Sequence, residues 1–354
     1  MDPYQYHIRH IQRENNSEIK AIRDFLHTHH LHYESDCQLT LGVFRKDQLV
    51  GTGSLAGNVL KCVAVDDDFQ GEGIAAAVVT HLVEAAYERG RQHLFIYTPP
   101  DRKNIFGELG FYEVVSVPNH VALFENQANG LASFLEAVKK ATRERFPDPD
   151  ALKHVSSIVM NANPFTLGHQ HLVSTASSNS DLVHVFVVTE DKSSFPTKAR
   201  FQMVKDGTAH LANVMVHQGG PYMVSSATFP SYFLKEPTAV SAIHHQLDLT
   251  LFGSRIAPAL GIQRRYVGQE PYCLTTQDYN RAMKEILPVH GVEVIEIPRL
   301  SNDQGWISAS TVRQMLLKKQ PDLLQKLVPE STMEYLFSEK GKEIIESLSP
   351  DDRH

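Results

Sequence analysis

Thr166 and His169 stand on one helical turn of the stretch IVMNANPFTLGHQHLV, residues 158–173. A hydroxyl and an imidazole at that spacing can donate hydrogen bonds to phosphate oxygens while charge shifts in a displacement. The run of small β-forming residues ends at Asn163-Pro164-Phe165, and Thr166-Leu167-Gly168-His169 opens an apolar-periodic segment. That pattern predicts a strand, a tight turn and a helix N-terminus. A helix start carries unpaired backbone N–H groups and the positive end of the macrodipole, so it attracts phosphate. The missing side chain at Gly168 lets a triphosphate approach the backbone closely. Asn161, Asn163 and Phe165 lead into this turn and belong to the same nucleotide-handling segment.

A second set lies far downstream, at Ile307-Ser308-Ala309-Ser310-Thr311-Val312-Arg313. Ser308 or Ser310 can cap the helix that carries Arg313, leaving N–H groups and hydroxyls to face β- and γ-phosphates. Arg313 adds a permanent charge that can bind phosphate oxygens bidentately. Gly268 and Glu270, in VGQEPY, follow a strand-like run and are candidate contacts to adenosine.

The elements that must position these residues change character along the chain. Residues 40–55 read as two strands around Lys46-Asp47, with further strands at 59–66, 93–98 and 111–117 and helices at 74–89 and 104–110. Together they predict an α+β unit over residues 1–135. Residues 131–145 read as a connecting helix, and the Pro147-Asp148-Pro149-Asp150 run breaks it; 136–152 is the expected linker. From 153 to 354, strands at 155–160, 183–189 and 292–297 alternate with helices at 169–178, 198–211 and 276–287. Such alternation predicts βαβ units and a parallel sheet.

Composition narrows the function classes. At 354 residues, two domains are expected. A net charge of −7 argues against nucleic acid as the main partner. There is no apolar run of the roughly 18 residues that a membrane span needs. The N-terminus has no apolar signal region, so a cytoplasmic location is expected. Cys37, Cys62 and Cys273 are widely spaced and read as free thiols. His27, His29, His30 and His32 lack the spacing of a fixed metal site and read as a solvated helix end or loop; no resident metal is expected.

Two family resemblances sharpen the reading. Gln70-Gly71-Glu72-Gly73-Ile74-Ala75 after a strand resembles the Q/R-x-x-G-x-G/A element of the GCN5-related N-acetyltransferases (GNAT), and NIFGELGF, residues 104–111, resembles that fold's later signature. The resemblance implies that amides around Gln70, Gly71, Gly73 and Ala75 cradle the pyrophosphate of a coenzyme A-like group. It also implies a tyrosine acid four residues before Gly110. Phe106 stands there and has no proton to donate, so binding without acetyl transfer is the expectation. VMNANPFTLGH and ISASTVR, in turn, resemble the paired signatures of the HIGH-type nucleotidyltransferases, with Thr166 in place of the first histidine and Asn163 in place of the usual aspartate. This implies a Rossmann-like sheet, and it implies Lys192 and Arg200 as groups steadying the phosphates or the attacking group.

The combination is closer still to one family. A GNAT-like domain fused to NANPFTLGH, Phe195-Pro196, SSATFPSYFLKE (225–236), VGQEPYC (267–273) and ISASTVRQML resembles the citrate lyase ligases. That resemblance implies an AMP-forming acid–thiol ligase using ATP with Mg²⁺. Its acceptor would be the phosphoribosyl-dephospho-coenzyme A thiol on the acyl-carrier subunit of citrate lyase, which it acetylates from acetate. Other readings stay open on residues alone: an adenylyltransferase making a pantetheine-phosphate or nicotinamide-mononucleotide type cofactor, a non-catalytic scaffold, or an N-acetyltransferase.

Overall fold

Short runs of β-branched and aromatic residues, broken at Gly, Asn and Asp, organise the first part of the chain into hairpins. The computed structural model describes residues 5–189, 193–223, 240–271, 273–303 and 305–349. It divides into two compact units, Met1–Ala132 with Phe229–Leu247, and Ser133–Thr228 with Asp248–His354.

In the first unit, β1 (Tyr6–His10) and α1 (Asn16–Thr28) precede β2 (Leu39–Arg45), β3 (Gln48–Ala56) and β4 (Val59–Val65). Then come α2 (Ile74–Glu88), β5 (Phe95–Thr98), α3 (Lys103–Glu108), β6 (Tyr112–Val117) and β7 (Val121–Glu125). The sheet order is β1-β2-β3-β4-β5-β7-β6. Every neighbouring pair is antiparallel except β4 and β5, which pair in parallel only at Val59–Phe95 and Leu60–Ile96. Beyond those residues the two strands have no mutual register. α2 packs on β3 so closely that a Cβ at Gly53 would collide with Val78 Cγ1. Ile74, Val78, Leu82 and Phe106 are buried in the core beneath. β1, α1 and β7 extend the predicted element set. His27, His30 and His32, at the end of α1 and beyond, are exposed, and Cys37, Cys62 and Cys273 are free thiols.

The second unit follows the predicted alternation. α4 (Gly130–Arg145) leads into β8 (Val155–Met160), α5 (Leu167–Ser178), β9 (Leu182–Val187), α6 (Thr197–Gly207) and β10 (Val214–Gln218). α4 is packed rather than free: from Ser133 onward it belongs to the second unit, and Arg145 Nη1 donates to the Val214 carbonyl at 3.0 Å. α7 (Val240–Leu251), whose residues up to Leu247 belong to the first unit, and α8 (Ala257–Ala259), joined by a turn of π-helix, precede β11 (Arg264–Gly268), α9 (Leu274–Ile286) and β12 (Glu293–Ile297). A small hairpin, β13 (Ser301–Asn302) and β14 (Gly305–Trp306), leads to α10 (Ala309–Leu317), α11 (Glu330–Phe337) and α12 (Glu339–Ser347).

Five strands pair in parallel in the order β10-β9-β8-β11-β12. All six residues of β9, Leu182 to Val187, are buried, with Val183, Val185 and Val187 on one face and Leu182, His184 and Phe186 on the other, as expected for a parallel strand covered on both faces. The chain runs outward from β8 through β9 to β10, then returns to the other side of β8 as β11. That reversal is a topological switch point, where open α/β sheets bind ligands beyond the carboxyl ends of the strands. β8 and β11 pair only near their starts, at Ser156–Arg264 and Ser157–Arg265, so their carboxyl ends are free to diverge. No helix among the described residues is long and apolar enough to cross a membrane.

Candidate functional site

β8 delivers the chain to the switch point. It turns through Asn161, Ala162 and Asn163, with a cis peptide bond before Pro164, and Phe165 is fully buried. Thr166 is the N-cap of α5 and is only 1% exposed. Its hydroxyl accepts the His169 backbone N–H at 3.3 Å and lies 2.9 Å from His169 Nδ1. The Thr166 backbone N–H donates to the same Nδ1 at 3.1 Å. This is a capping box with histidine in the role usually filled by Glu or Gln. Because Nδ1 accepts, the ring is neutral and its proton sits on Nε2. Burial, and then the field of the Arg299 guanidinium, hold the His169 pKa down at about 4. The Phe165 ring stacks against the imidazole at 5.8 Å and 15°.

The downstream motif meets this turn directly. A Cβ built on Gly168 would lie 3.5 Å from the Ile307 carbonyl oxygen, so the first turn of α5 abuts the entrance of α10. Ser308 is the N-cap of α10; its Oγ accepts the Thr311 N–H at 3.0 Å and contacts Thr311 Oγ1 at 2.7 Å and Ser310 Oγ at 3.0 Å. Arg313, 6% exposed, sends Nη1 to the Asn163 carbonyl at 2.5 Å across 150 residues of sequence. Two helix N-termini therefore lie side by side; in α5 the Leu167 N–H donates to the Leu327 carbonyl at 2.9 Å and the His169 N–H to the Thr166 cap, and in α10 the Thr311 N–H donates to the Ser308 cap.

Arg200 lies beneath the site rather than on its surface. It is fully buried, with Nε donating to Phe195 O at 2.8 Å and Nη2 to Thr197 Oγ1 at 2.9 Å. Nη1 reaches Asn161 O, Asn161 Oδ1 and Val188 O at 2.8, 2.7 and 2.7 Å. The guanidinium thus ties the end of β8, the end of β9 and the start of α6 together. Asn161 also exchanges hydrogen bonds with Ser193, and Asn163 Oδ1 accepts the Phe195 N–H at 2.9 Å. Lys192 lies outside the described residues, as does the segment 225–236.

At the carboxyl end of β11, Asn280 Nδ2 donates to the Gly268 carbonyl at 3.1 Å. Glu270 accepts both Arg299 Nη1 contacts at 2.8 Å, and Arg299 Nε reaches the Ile307 carbonyl at 3.4 Å. Arg299 and Asn280 were not among the predicted site residues. The available signal for Arg299 was its position just after a strand, in the Pro298-Arg299-Leu300 lead-in to the ISAST motif.

In the first unit, Gly71 and Gly73 have φ of 84° and 77°, a left-handed backbone that only glycine adopts without strain. Gly73 caps α2 with no side-chain partner, so the amides of Ile74 and Ala75 open the helix behind an exposed turn. Gln70 Nε2 is turned to Asp67 Oδ1 at 2.6 Å, and Glu72 accepts from the Tyr6 hydroxyl. Phe106 is buried in the core, 6.5 Å from the Phe124 ring, and supplies no acid. Among the described residues no group of three His, Cys, Asp or Glu side chains could hold a metal ion.

Comparison with known proteins agrees with both halves. Residues 155–336 match the model of the citrate lyase ligase C-terminal domain, and residues 12–122 match the acetyltransferase (GNAT) domain. The chain is 39% identical over 331 residues to the citrate (pro-3S)-lyase ligase of Escherichia coli (strain K12), with 92% of each chain covered. It is 40% identical over 322 residues to the Klebsiella pneumoniae protein of the same name, with 90% of this chain and 92% of that one covered. Similarity of that extent, spanning both units and both paired motifs, means that the chain belongs to the citrate lyase ligase family.

Proposed function

We propose that the second unit activates acetate with ATP and that the acetyl group then passes to a thiol of citrate lyase. Acetate is inert toward thiols because its carboxylate is anionic and resonance-stabilised. In the proposed first step a carboxylate oxygen bonds to the α-phosphorus of ATP, the bond from that phosphorus to the β-phosphate oxygen breaks, and pyrophosphate departs. The product, acetyl-adenylate, has AMP as its leaving group. In the second step the thiol sulfur bonds to the acetyl carbon and AMP leaves. The acceptor in this reading is the phosphoribosyl-dephospho-coenzyme A thiol on the acyl-carrier subunit, and the setting is cytoplasmic.

The observation that carries the reading is the abutment of the α5 and α10 N-termini at the switch point, with a neutral His169 on the first turn. The Gly168 amide of α5 and the Ala309 and Ser310 amides of α10 would face the phosphates, and His169 Nε2–H would donate to an oxygen on which charge develops. Thr166 aims that imidazole. Arg313 locks the two motifs together, Arg200 braces the turn beneath, and Lys192 would contribute charge toward the pyrophosphate. Mg²⁺ enters as part of the ATP substrate. Gly268 and Glu270 would border the adenosine. The first unit, through Gln70, Gly71, Gly73 and Ala75, would bind a coenzyme A-like group without acting on it.

The test is pyrophosphate release from Mg-ATP with and without acetate, then with thiol-form citrate lyase added. Acetate-dependent release, lost in His169→Ala with the fold intact, is the expected result. Release that ignores acetate would replace this reading with a cofactor-making adenylyltransferase, and near wild-type release by His169→Ala would overturn the site.

A further inference from the structure

Arg299 joins three parts of the second unit that sequence alone separates. Its Nη1 is held by both oxygens of Glu270, in the loop after β11, and its Nε reaches the Ile307 carbonyl ahead of α10. That carbonyl is the atom that lies against Gly168 on the first turn of α5. Arg299 and Glu270 are both mostly buried, at 19% and 18% side-chain exposure, so solvent screens the pair less than a surface ion pair. We infer that Arg299 is a positioning residue of the nucleotide site, clamping the loops after β11 and β12 against the first turn of α5 so that the His169 imidazole keeps its place in the Thr166 cap. The inference rests on reading the second unit as an ATP site.

The physical reason lies in the cap. Nδ1 of His169 accepts from the Thr166 N–H. A proton on Nδ1 would set donor against donor, eject the ring from the capping box and turn Nε2 away. A fixed positive charge nearby opposes that protonation. Among the described residues Arg299 is the charged group whose field acts on His169. On one face the ring meets the uncharged Phe165, and at its Nδ1 edge the uncharged Thr166. Arg313 on α10 and Arg200 on α6 are buried and directed at backbone around Asn163 and Asn161. Glu270 holds the Arg299 guanidinium in its position and, by its own charge, moderates the field.

The experiment compares Arg299→Gln, Arg299→Lys and Glu270→Gln in the full chain. The His169 imidazole is titrated by NMR, its signal assigned by its absence in His169→Gln. Arg299→Gln removes the positive field and leaves the Glu270 carboxylate, so the His169 titration should move upward toward the ordinary value. Glu270→Gln leaves the guanidinium unneutralised, so the titration should stay or move down. Arg299→Lys keeps the charge and should stay near wild type. In pyrophosphate release, Arg299→Gln should lose activity at pH 6 relative to pH 8, while Arg299→Lys should largely retain the wild-type profile. Equal upward shifts in Arg299→Gln and Glu270→Gln would mean simple loosening and overturn the inference, as would an unmoved titration in Arg299→Gln. Should Arg299→Gln not fold, an upward shift in Glu270→Gln or in Arg299→Lys overturns it. A wild-type protein releasing no pyrophosphate would sink the functional reading, while the NMR titration would still decide the role of Arg299.

Discussion

Replacing Thr166 separates the two tasks of the capping box. Its hydroxyl both accepts the His169 N–H and contacts Nδ1 of the same residue, in a site only 1% exposed. Thr166→Val keeps the side-chain shape and removes the oxygen. The His169 N–H then faces a methyl group, and loss of an N-cap oxygen costs about 1 kcal/mol. For a unit of this size that lowers Tm by roughly 2–4 °C. The catalytic effect should be larger. With only the 3.1 Å contact to the Thr166 N–H remaining, the imidazole is free to tilt, and its Nε2 donor no longer points at one spot. Losing one such donor outright costs on the order of 10²–10³ in rate; His169→Ala sets that limit, and Thr166→Val should fall between it and wild type. Thr166→Ser restores the oxygen without the methyl and should recover most of both losses. Urea denaturation and acetate-dependent pyrophosphate release measure the two effects on the same samples. If Thr166→Val matches wild type in rate, the hydroxyl does not orient His169. If Thr166→Ser is as impaired as Thr166→Val, packing of the methyl group matters and the hydrogen bonds do not.

Other perturbations probe different parts of the molecule. His184 and His217, on β9 and β10, meet Nδ1 to Nε2 at 3.0 Å, and burial pushes their pKa values to about 3 and about 4, with His217 also lowering His184. These folded values lie below the ordinary 6.5, so the unfolded chain takes up protons first. The stability they contribute is complete above pH 6.5 and is lost as pH falls from 6.5 toward 3. At ~1.4 kcal/mol per pKa unit the loss can reach a few kcal/mol, and an identical urea midpoint at pH 7 and pH 5 would contradict it. Gly168→Ala should leave thermal stability unchanged or slightly improved, because the added methyl meets its neighbours at 3.5 Å. It should nonetheless weaken ATP binding, measured by calorimetry; an unchanged Kd would remove the backbone of that turn from the phosphate site. Gly73→Ala forces a side chain into a φ of 77°, costing about 1–2 kcal/mol in the first unit. It should abolish binding of a coenzyme A-like ligand and spare acetate-dependent pyrophosphate release, so parallel loss of both would tie the first unit to the ATP chemistry.

How far the sequence could be read depended on whether the deciding interactions were local. β8, the turn and α5 were legible because period, turn residues and cap all fall within residues 155–178. The observed Val155–Met160 and Leu167–Ser178 follow that reading closely. β1, β7 and β10 were not legible. Each exists because a neighbouring strand completes its hydrogen bonds, β2 for β1, β5 and β6 for β7, and β9 for β10, which the local pattern does not show. α6 stops at Gly207 rather than running to 211, since the chain must turn there to feed β10. Arg200 could be picked out as a cation near the site, but not its fate as a fully buried brace, because most of its partners are carbonyls 5 to 39 residues away, with only the Thr197 hydroxyl closer in sequence. Arg299 was invisible for the same reason: its meaning lies in Glu270, 29 residues earlier.

The first unit poses the remaining chemical question, and the leaving groups answer it. Transfer from an acetyl thioester expels a thiolate, a poor leaving group near neutral pH unless an acid protonates it. Phe106 occupies the position of that acid and is packed into the core, whereas the glycine turn that suits a pyrophosphate keeps its left-handed backbone at Gly71 and Gly73. The left-handed turn is present, and position 106 offers no proton donor. An acetyl-adenylate expels AMP, whose phosphate is already a stable anion and requires no such acid. Under the proposed reading, with acetate activated on the second unit, a tyrosine at position 106 has no use, and the first unit would be left to hold a thiol carried on a nucleotide-like arm. Phe106→Tyr should accordingly create no acetyl-coenzyme A-dependent transferase activity, and the appearance of such activity would mean that the missing hydroxyl alone had silenced the first unit.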